Sequence, residues 1–205
     1  MKVQNPPKTA WNKDKLIGQK LPLKPEQIWS IRVRLEMQNN IRDLALFNLA
    51  LDAKLRACDL LKLTVRDISR GEGILSRTQV IQQKTKRPVQ FEITKKTKLS
   101  LQSLIDHDKL TCHDYLFKGQ SLRTEHLSTR QYARIVDDWV TSIGLDKNAY
   151  GTHTMRRTKA SIIYKQTKNL RAVQILLGHT KLESTVRYLG VEVDDALEIS
   201  EHIEI

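Results

Sequence analysis

Cysteine is scarce: Cys58 and Cys112 stand far apart in 205 residues, with no CxxC pair. Neither a disulfide framework nor a zinc site is therefore suggested, and a reducing compartment suits the chain. Long apolar runs are absent too. No stretch reaches the ~18 apolar residues that could cross a bilayer, and the opening MKVQNPPKTAWNKDK has no apolar run of a secretory signal. These absences predict no membrane partner and a place in the bacterial cytoplasm or on the nucleoid. No internal repeat is visible. Acids are nearly missing from one end: Met1 to Lys24 carries six Lys and a single acid, Asp14, whereas Val191 to Ile205 carries six acids and no Lys or Arg. Over the whole chain 35 Lys plus Arg face 23 Asp plus Glu, giving a formal charge of +12 and a pI near 9.8. Such a surplus attracts polyanions over long range, and nucleic acid is the first partner it points to. Net charge alone leaves a merely soluble basic protein equally open.

What is present reads as one globular domain with short appendages. Hydrophobic residues make up 40% and charged residues 28%, a balance that folds instead of staying disordered, in a length that suits one core. Residues 1–24, with paired Pro6 and Pro7, scattered lysines and no periodicity, are expected to be a basic flexible arm. From Pro25, suited to a first helical turn, Ile28, Ile31 and Leu35 recur at helical spacing. A second helix is expected over 41–54, and its LALFNLAL stretch, apolar on nearly all sides, belongs at the centre of the core. A short helix over 57–63 follows. The pattern then turns to β: 64–68, 78–83 and 88–93 are short and β-branched, separated by SRGEG and KTKR, and predict a three-stranded antiparallel sheet. Helical signals resume near Lys95. In STRQYARIVDDWVTSIG, residues Tyr132, Ile135, Val136, Trp139, Val140 and Ile143 share one face and Gly144 closes the helix. Further helices are expected at 154–166, 169–177, 182–189 and 194–202. Trp29 and Trp139 lie on apolar stripes and read as structural, while Trp11 in the arm has no assigned place. The expected fold class is α+β, mostly helical, with the main domain over 25–190 and an acidic helix or tail over 191–205.

Three segments carry chemistry. LRACDLLKLTVRDI supplies Arg56 and Asp59; THTMRRTKAS supplies His153 and Arg156 as HxxR; LRAVQILLGHTKLESTVRYLG supplies His179 and, nine residues on, Tyr188. Alone, each has a plain alternative: Arg56 and Asp59 could be an i, i+3 helix pair, Gly178 and His179 could simply end a helix, and Tyr188 could be a packed aromatic. In this order and at these spacings they resemble the catalytic set of the tyrosine recombinase, or phage integrase, family of DNA strand-exchange enzymes. The likeness runs from Pro25 to Asp195, and LLGHTKLESTVRYL matches the family's LGH(x)8Y element without a gap. The resemblance implies that Arg56 is the first catalytic arginine and Asp59 the acid that orients it. It also implies that Lys84, in QQKTKRPVQF, is the hairpin lysine, with Lys86 close enough to compete. His153 and Arg156 match HxxR, His179 matches a position that the family fills with His or Trp, and Tyr188 matches the nucleophile.

The chemistry explains the residue types. Attack on a phosphodiester builds negative charge on two non-bridging oxygens, which planar guanidinium groups can grip bidentately; Arg56 and Arg156 would do so. A phenol with an ordinary pKa of ~10 is a weak nucleophile until a base takes its proton or cations lower its pKa, and His153 is the candidate base or hydrogen-bond partner. The leaving 5′ oxygen needs a proton, for which Lys84 is the candidate acid. The implied product is a 3′-phosphotyrosine, which keeps the energy of the broken bond, so that neither metal nor nucleotide cofactor is called for.

The partners implied are double-stranded DNA and a homo-tetramer on it, because exchange of two duplexes takes four cleavages. Pro25 already begins the catalytic domain, where many relatives carry a separate N-terminal clamp. This resembles the short members that invert promoter segments in fimbrial phase variation, and it leaves room for an accessory DNA-binding protein. The 191–205 segment could dock on a neighbouring protomer or pack in cis. Two rival classes remain: a recombinase-derived DNA-binding regulator, which would bind without cleaving, and a type IB topoisomerase-like enzyme, which would relax supercoils as a monomer.

Overall fold

A computed structural model describes residues 19–71, 73–119, 125–190 and 200–201. Helix starts follow side chains that accept otherwise orphaned N–H groups. Asn40 takes the Asp43 N–H at the start of α2 (Ile41–Ala53), after α1 (Pro25–Met37), which has its proline in the first turn. Two one-turn helices follow, α3 (Ala57–Leu60) and α4 (Val65–Ile68). Strands β1 (Ser69–Arg70), β2 (Gly73–Ile74), β3 (Arg77–Ile81) and β4 (Pro88–Glu92) come next. The rest is helical: α5 (Lys95–Asp108), α6 (Thr129–Ser142), α7 (Thr152–Thr167), α8 (Leu170–Leu177) and α9 (Leu182–Leu189). Ser128 and Gln131 close a reciprocal cap on α6, and Asn169 accepts the Ala172 N–H on α8.

The expected mostly helical α+β class holds, but the sheet differs. Two separate two-stranded antiparallel sheets form, β1 with β2 and β3 with β4. The segment predicted as a first strand, 64–68, is a helical turn instead. Asp67 Oδ2 accepts from both the Thr64 N–H and the Thr64 hydroxyl at 2.8 Å, and this local cap outweighs the β preference of the branched side chains. Only Thr64 keeps a bridge, to Tyr115.

α2 is the central element, as its all-round apolarity requires: Ala45, Leu46, Phe47, Leu49, Ala50, Leu51 and Ala53 are all buried among α1, α5, α7 and β4. Trp139 packs edge-on against Phe47 at 5.2 Å and donates to Asp43. Trp29 departs from its structural reading, being 66% exposed, and Trp11 lies outside the described residues. A smaller cluster of Ala160, Val173 and Leu177, with Tyr188 and Leu189 against it, joins α7, α8 and α9.

Residues 19–24, expected in the flexible arm, are docked. The Leu23 side chain is buried in the core, its N–H donates to Thr158, and Leu21 N–H donates to the Ala149 carbonyl. Burying Leu23 contributes ~2 kcal/mol, and the two backbone hydrogen bonds add to it against the entropy of ordering the segment. Residues 1–18 and most of the helix expected over 194–202 lie outside the described residues.

Candidate active site

Arg156 sits in the first turns of α7, only 2% exposed. Its Nη1 donates to the Lys54 carbonyl at 2.5 Å and its Nη2 to the Leu177 carbonyl at 2.6 Å. These two bonds span the end of α2 and the end of α8, so the guanidinium is fixed by backbone on two sides. Burial, first, and the neighbouring Arg56 lower its pKa, while Tyr188 and Asp59 oppose the shift; the result, about 10, still leaves it charged at neutral pH.

The Lys54 carbonyl is itself held in place. Lys54 adopts a left-handed backbone (φ 52°), and its fully buried ammonium donates to the Asp52 carbonyl and to both carboxylate oxygens of Glu92, at 2.5 to 2.9 Å. Lys159 joins Asp52 at 2.6 Å and Glu92 at 2.7 Å. Two cations and two acids thus satisfy one another, as buried charges must.

Arg56 precedes α3 and donates to the buried Gln82 at 2.7 Å. Asp59, three residues on, does not pair with it directly. Its Oδ1 accepts the Gln83 N–H at 2.9 Å, while its buried Oδ2 has no hydrogen-bond partner. The carboxylate therefore ties α3 to the β3–β4 turn, and its charge supports Arg156. Lys84 occupies that turn, exposed, and its charge is one of those acting on His153. Lys86, the competing lysine, is left-handed at φ 54° and closes the turn through its N–H to the Gln82 carbonyl.

α8 ends at Gly178 (φ 63°), a left-handed cap that glycine adopts freely. A Cβ there would come within 2.3 Å of Val89 on β4, so backbone conformation and close approach both call for glycine. The next residue, His179, is thereby turned into the site. Its Nδ1 lies 3.1 Å from the Thr185 hydroxyl, and its ring meets Tyr188 edge-on at 5.3 Å.

Tyr188, near the end of α9, lies with its ring centroid 5.9 Å from the Arg156 guanidinium carbon and 5.4 Å from that of Arg157. Its hydroxyl donates, at a long 3.5 Å, to the His153 backbone carbonyl; the backbone and not the expected imidazole is its partner in this state. Burial raises the phenol pKa to about 12, against the pull of both arginines. Burial, then the fields of Arg156, Arg56, Arg157 and Lys84, lowers His153; burial with Arg156 and Arg56 lowers His179 to about 4. Both imidazoles are therefore neutral at pH 7. A cleft of about 500 Å³, lined by His153, Arg157, Ser184 and Tyr188 and edged by Gln19 and Lys20, opens beside the phenol.

The structure thus gathers Arg56, His153, Arg156, His179 and Tyr188, with Lys84 and Asp59 on one side. Sequence reasoning passed over two contributors. Arg157 was visible as the second arginine of HTMRR; it donates to the Lys20 carbonyl and flanks the tyrosine. Gln82 carried no signal beyond standing two residues before Lys84.

Buried arginines, neutral histidines and a tyrosine at an open cleft define a site suited to transfer of a phosphoryl ester onto a phenol. The chain belongs to the phage integrase family, whose model matches residues 23–194. It is 31% identical over 160 residues to the "Probable integrase/recombinase YoeC" of Bacillus subtilis (strain 168), covering 77% of this chain and 82% of that one. It also resembles solved structures: XerA recombinase, with a TM-score of 0.73, 20% identity and 92% of this chain against 67% of that one, and XerH recombinase bound to its difH substrate before cleavage, with a TM-score of 0.68, 20% identity and 89% against 55%. The chain spans about half the length of the XerC tyrosine recombinases that it matches, 53% and 52% of two of them.

Proposed function

We propose that the chain is a site-specific tyrosine recombinase that cleaves and rejoins duplex DNA through a 3′-phosphotyrosine on Tyr188. The observation that carries the reading is the Tyr188 ring set between His179 and two arginines, with Arg156 immobilised by two carbonyls. The Tyr188 oxygen attacks phosphorus and the bond from phosphorus to the 5′ oxygen breaks. The departing oxygen takes a proton from Lys84, and the phenol proton passes to neutral His153. Arg56, Arg156 and His179 stabilise the charge on the non-bridging oxygens. A second 5′ hydroxyl reverses the step on a new partner strand, which needs no cofactor.

Phenol ionisation is disfavoured in the free site, so the cleavage-competent geometry belongs to the DNA-bound state, in which the scissile phosphate and the His153 imidazole replace the backbone contact. The XerH complex with its difH substrate supports duplex DNA as the partner. Two duplexes and four cleavages imply a homo-tetramer on DNA, with residues 25–190 as catalytic domain, 191–205 as a segment able to dock on a neighbour, and an accessory DNA-binding protein as a further partner. Incubation with a random-sequence pool of nicked duplexes should trap a covalent protein–DNA adduct on denaturing gels, and Tyr188→Phe should abolish it. An adduct that persists in Tyr188→Phe removes the nucleophile assignment.

A further inference from the structure

Gln82 lies just past β3 and is fully buried, although Ile81 before it is 70% exposed. Its Oε1 accepts from Arg56 Nη1 at 2.7 Å and from the Thr85 hydroxyl at 2.9 Å. Its Nε2 donates at 3.4 Å to the Leu177 carbonyl, the same oxygen that takes Arg156 Nη2 at 2.6 Å. Its backbone closes the turn in both directions, N–H to the Arg87 carbonyl at 2.9 Å and carbonyl from the Lys86 N–H at 2.8 Å. The amide cannot be reversed, because the guanidinium requires an acceptor and the Leu177 carbonyl requires a donor. One carboxamide therefore joins Arg56, the turn that carries Lys84 and, through one shared carbonyl, Arg156.

We propose that Gln82 is a positioning residue that sets the Arg56 guanidinium against Arg156 and the Lys84 turn while leaving the positive charge of Arg56 available to the scissile phosphate. The inference rests on the reading of Arg56 and Arg156 as the phosphate clamp. An amide is the group this task needs. A carboxylate at the same place would hold the guanidinium more tightly, since charge-assisted bonds are stronger, but it would neutralise the cation and compete with the phosphate for it. Preorganised charge stabilises a transition state only when it is not already spent on a neighbour. The nearby acid obeys the same logic: Asp59 is engaged by the Gln83 N–H and not by Arg56, which leaves the Gln82 oxygen as the direct support for that side chain.

The test uses the full chain and a duplex recovered as a Tyr188 adduct from the random-sequence pool. That duplex is made with either a phosphodiester or an uncharged methylphosphonate at the scissile position. Gln82→Glu is expected to form adduct about tenfold or more slowly than the parent on the phosphodiester. On the methylphosphonate, where no anionic oxygen pair calls for Arg56, the two should agree within about twofold. A hairpin tie of purely structural importance would slow Gln82→Glu by the same factor on both substrates, or not at all. Either result overturns the proposal. Should Gln82→Glu fail to fold, Gln82→Met serves instead: close in size and uncharged, it should retain the parent's circular dichroism and slow phosphodiester cleavage to a similar degree, and a rate equal to the parent's overturns the proposal. If the parent itself forms no adduct, the clamp reading is what fails.

Discussion

At the scale of single residues, the site is organised by burial among cations. His179 has two consequences of this kind. Its pKa, held near 4 against an ordinary 6.5 by burial and by Arg156 and Arg56, keeps it a neutral hydrogen-bonding ring throughout the neutral range. It also links stability to pH. Between about 4 and 6.5 the unfolded chain binds more protons at this position than the folded one, so the contribution is complete above 6.5 and declines as the pH falls towards 4. Melting temperatures at pH 7.5 and 4.5 should therefore drop less in His179→Asn than in the parent; equal drops would show that the imidazole is not the linked group. Tyr188 behaves oppositely. Its proton is held more firmly by burial than the arginines can loosen it, which suits the nucleophile proposed above, inert until DNA arrives.

At the scale of elements, the site is a meeting of ends: the turn after α2, the β3–β4 turn, the start of α7, the end of α8 and the end of α9. Gly178 is the tightest of these junctions. Gly178→Ala forces a Cβ into Val89 and strains a positive φ, so it should destabilise the fold by about 2 kcal/mol and shift His179 relative to Arg156. Urea unfolding measures the first effect and adduct formation the second. A variant with unchanged midpoint and rate would mean that α8 and β4 separate at no cost. The turn after α2 is held differently, by the Lys54, Asp52, Glu92 and Lys159 cluster. Here the chain places a lysine at a left-handed position, and its buried ion pairs offset the strain.

At the scale of the whole molecule, a formal charge of +12 makes phosphate contact the expected source of DNA affinity, with sequence choice coming from elsewhere. If six or more phosphates are neutralised, raising salt from about 50 to 200 mM should weaken binding by ~10³, as read by fluorescence anisotropy on a labelled duplex. Affinity indifferent to salt would argue against a backbone-tracking surface. Residues 19–24 matter at this scale too. They bind across α7 and reach α9, where the Gln19 side chain donates to the Arg187 carbonyl, so this segment forms one edge of the cleft beside Tyr188.

What the sequence offered by itself was a candidate set of reacting groups and most of the helices, because both are local facts. Apolar spacing placed α1, α2 and α6 and made α2 central, and the residue types and spacings of HxxR and LGH(x)8Y named the chemistry. Tertiary structure decided the rest. Thr64 to Ile68 has the composition of a strand, and only the Asp67 cap turned it into a helix. Asp59 stands one turn from Arg56 in sequence, yet its carboxylate engages the β3–β4 turn, and the support of Arg56 passed to Gln82, 26 residues away along the chain. A hydrogen bond between distant residues leaves no period and no spacing, so it could be found only after folding had brought the two together.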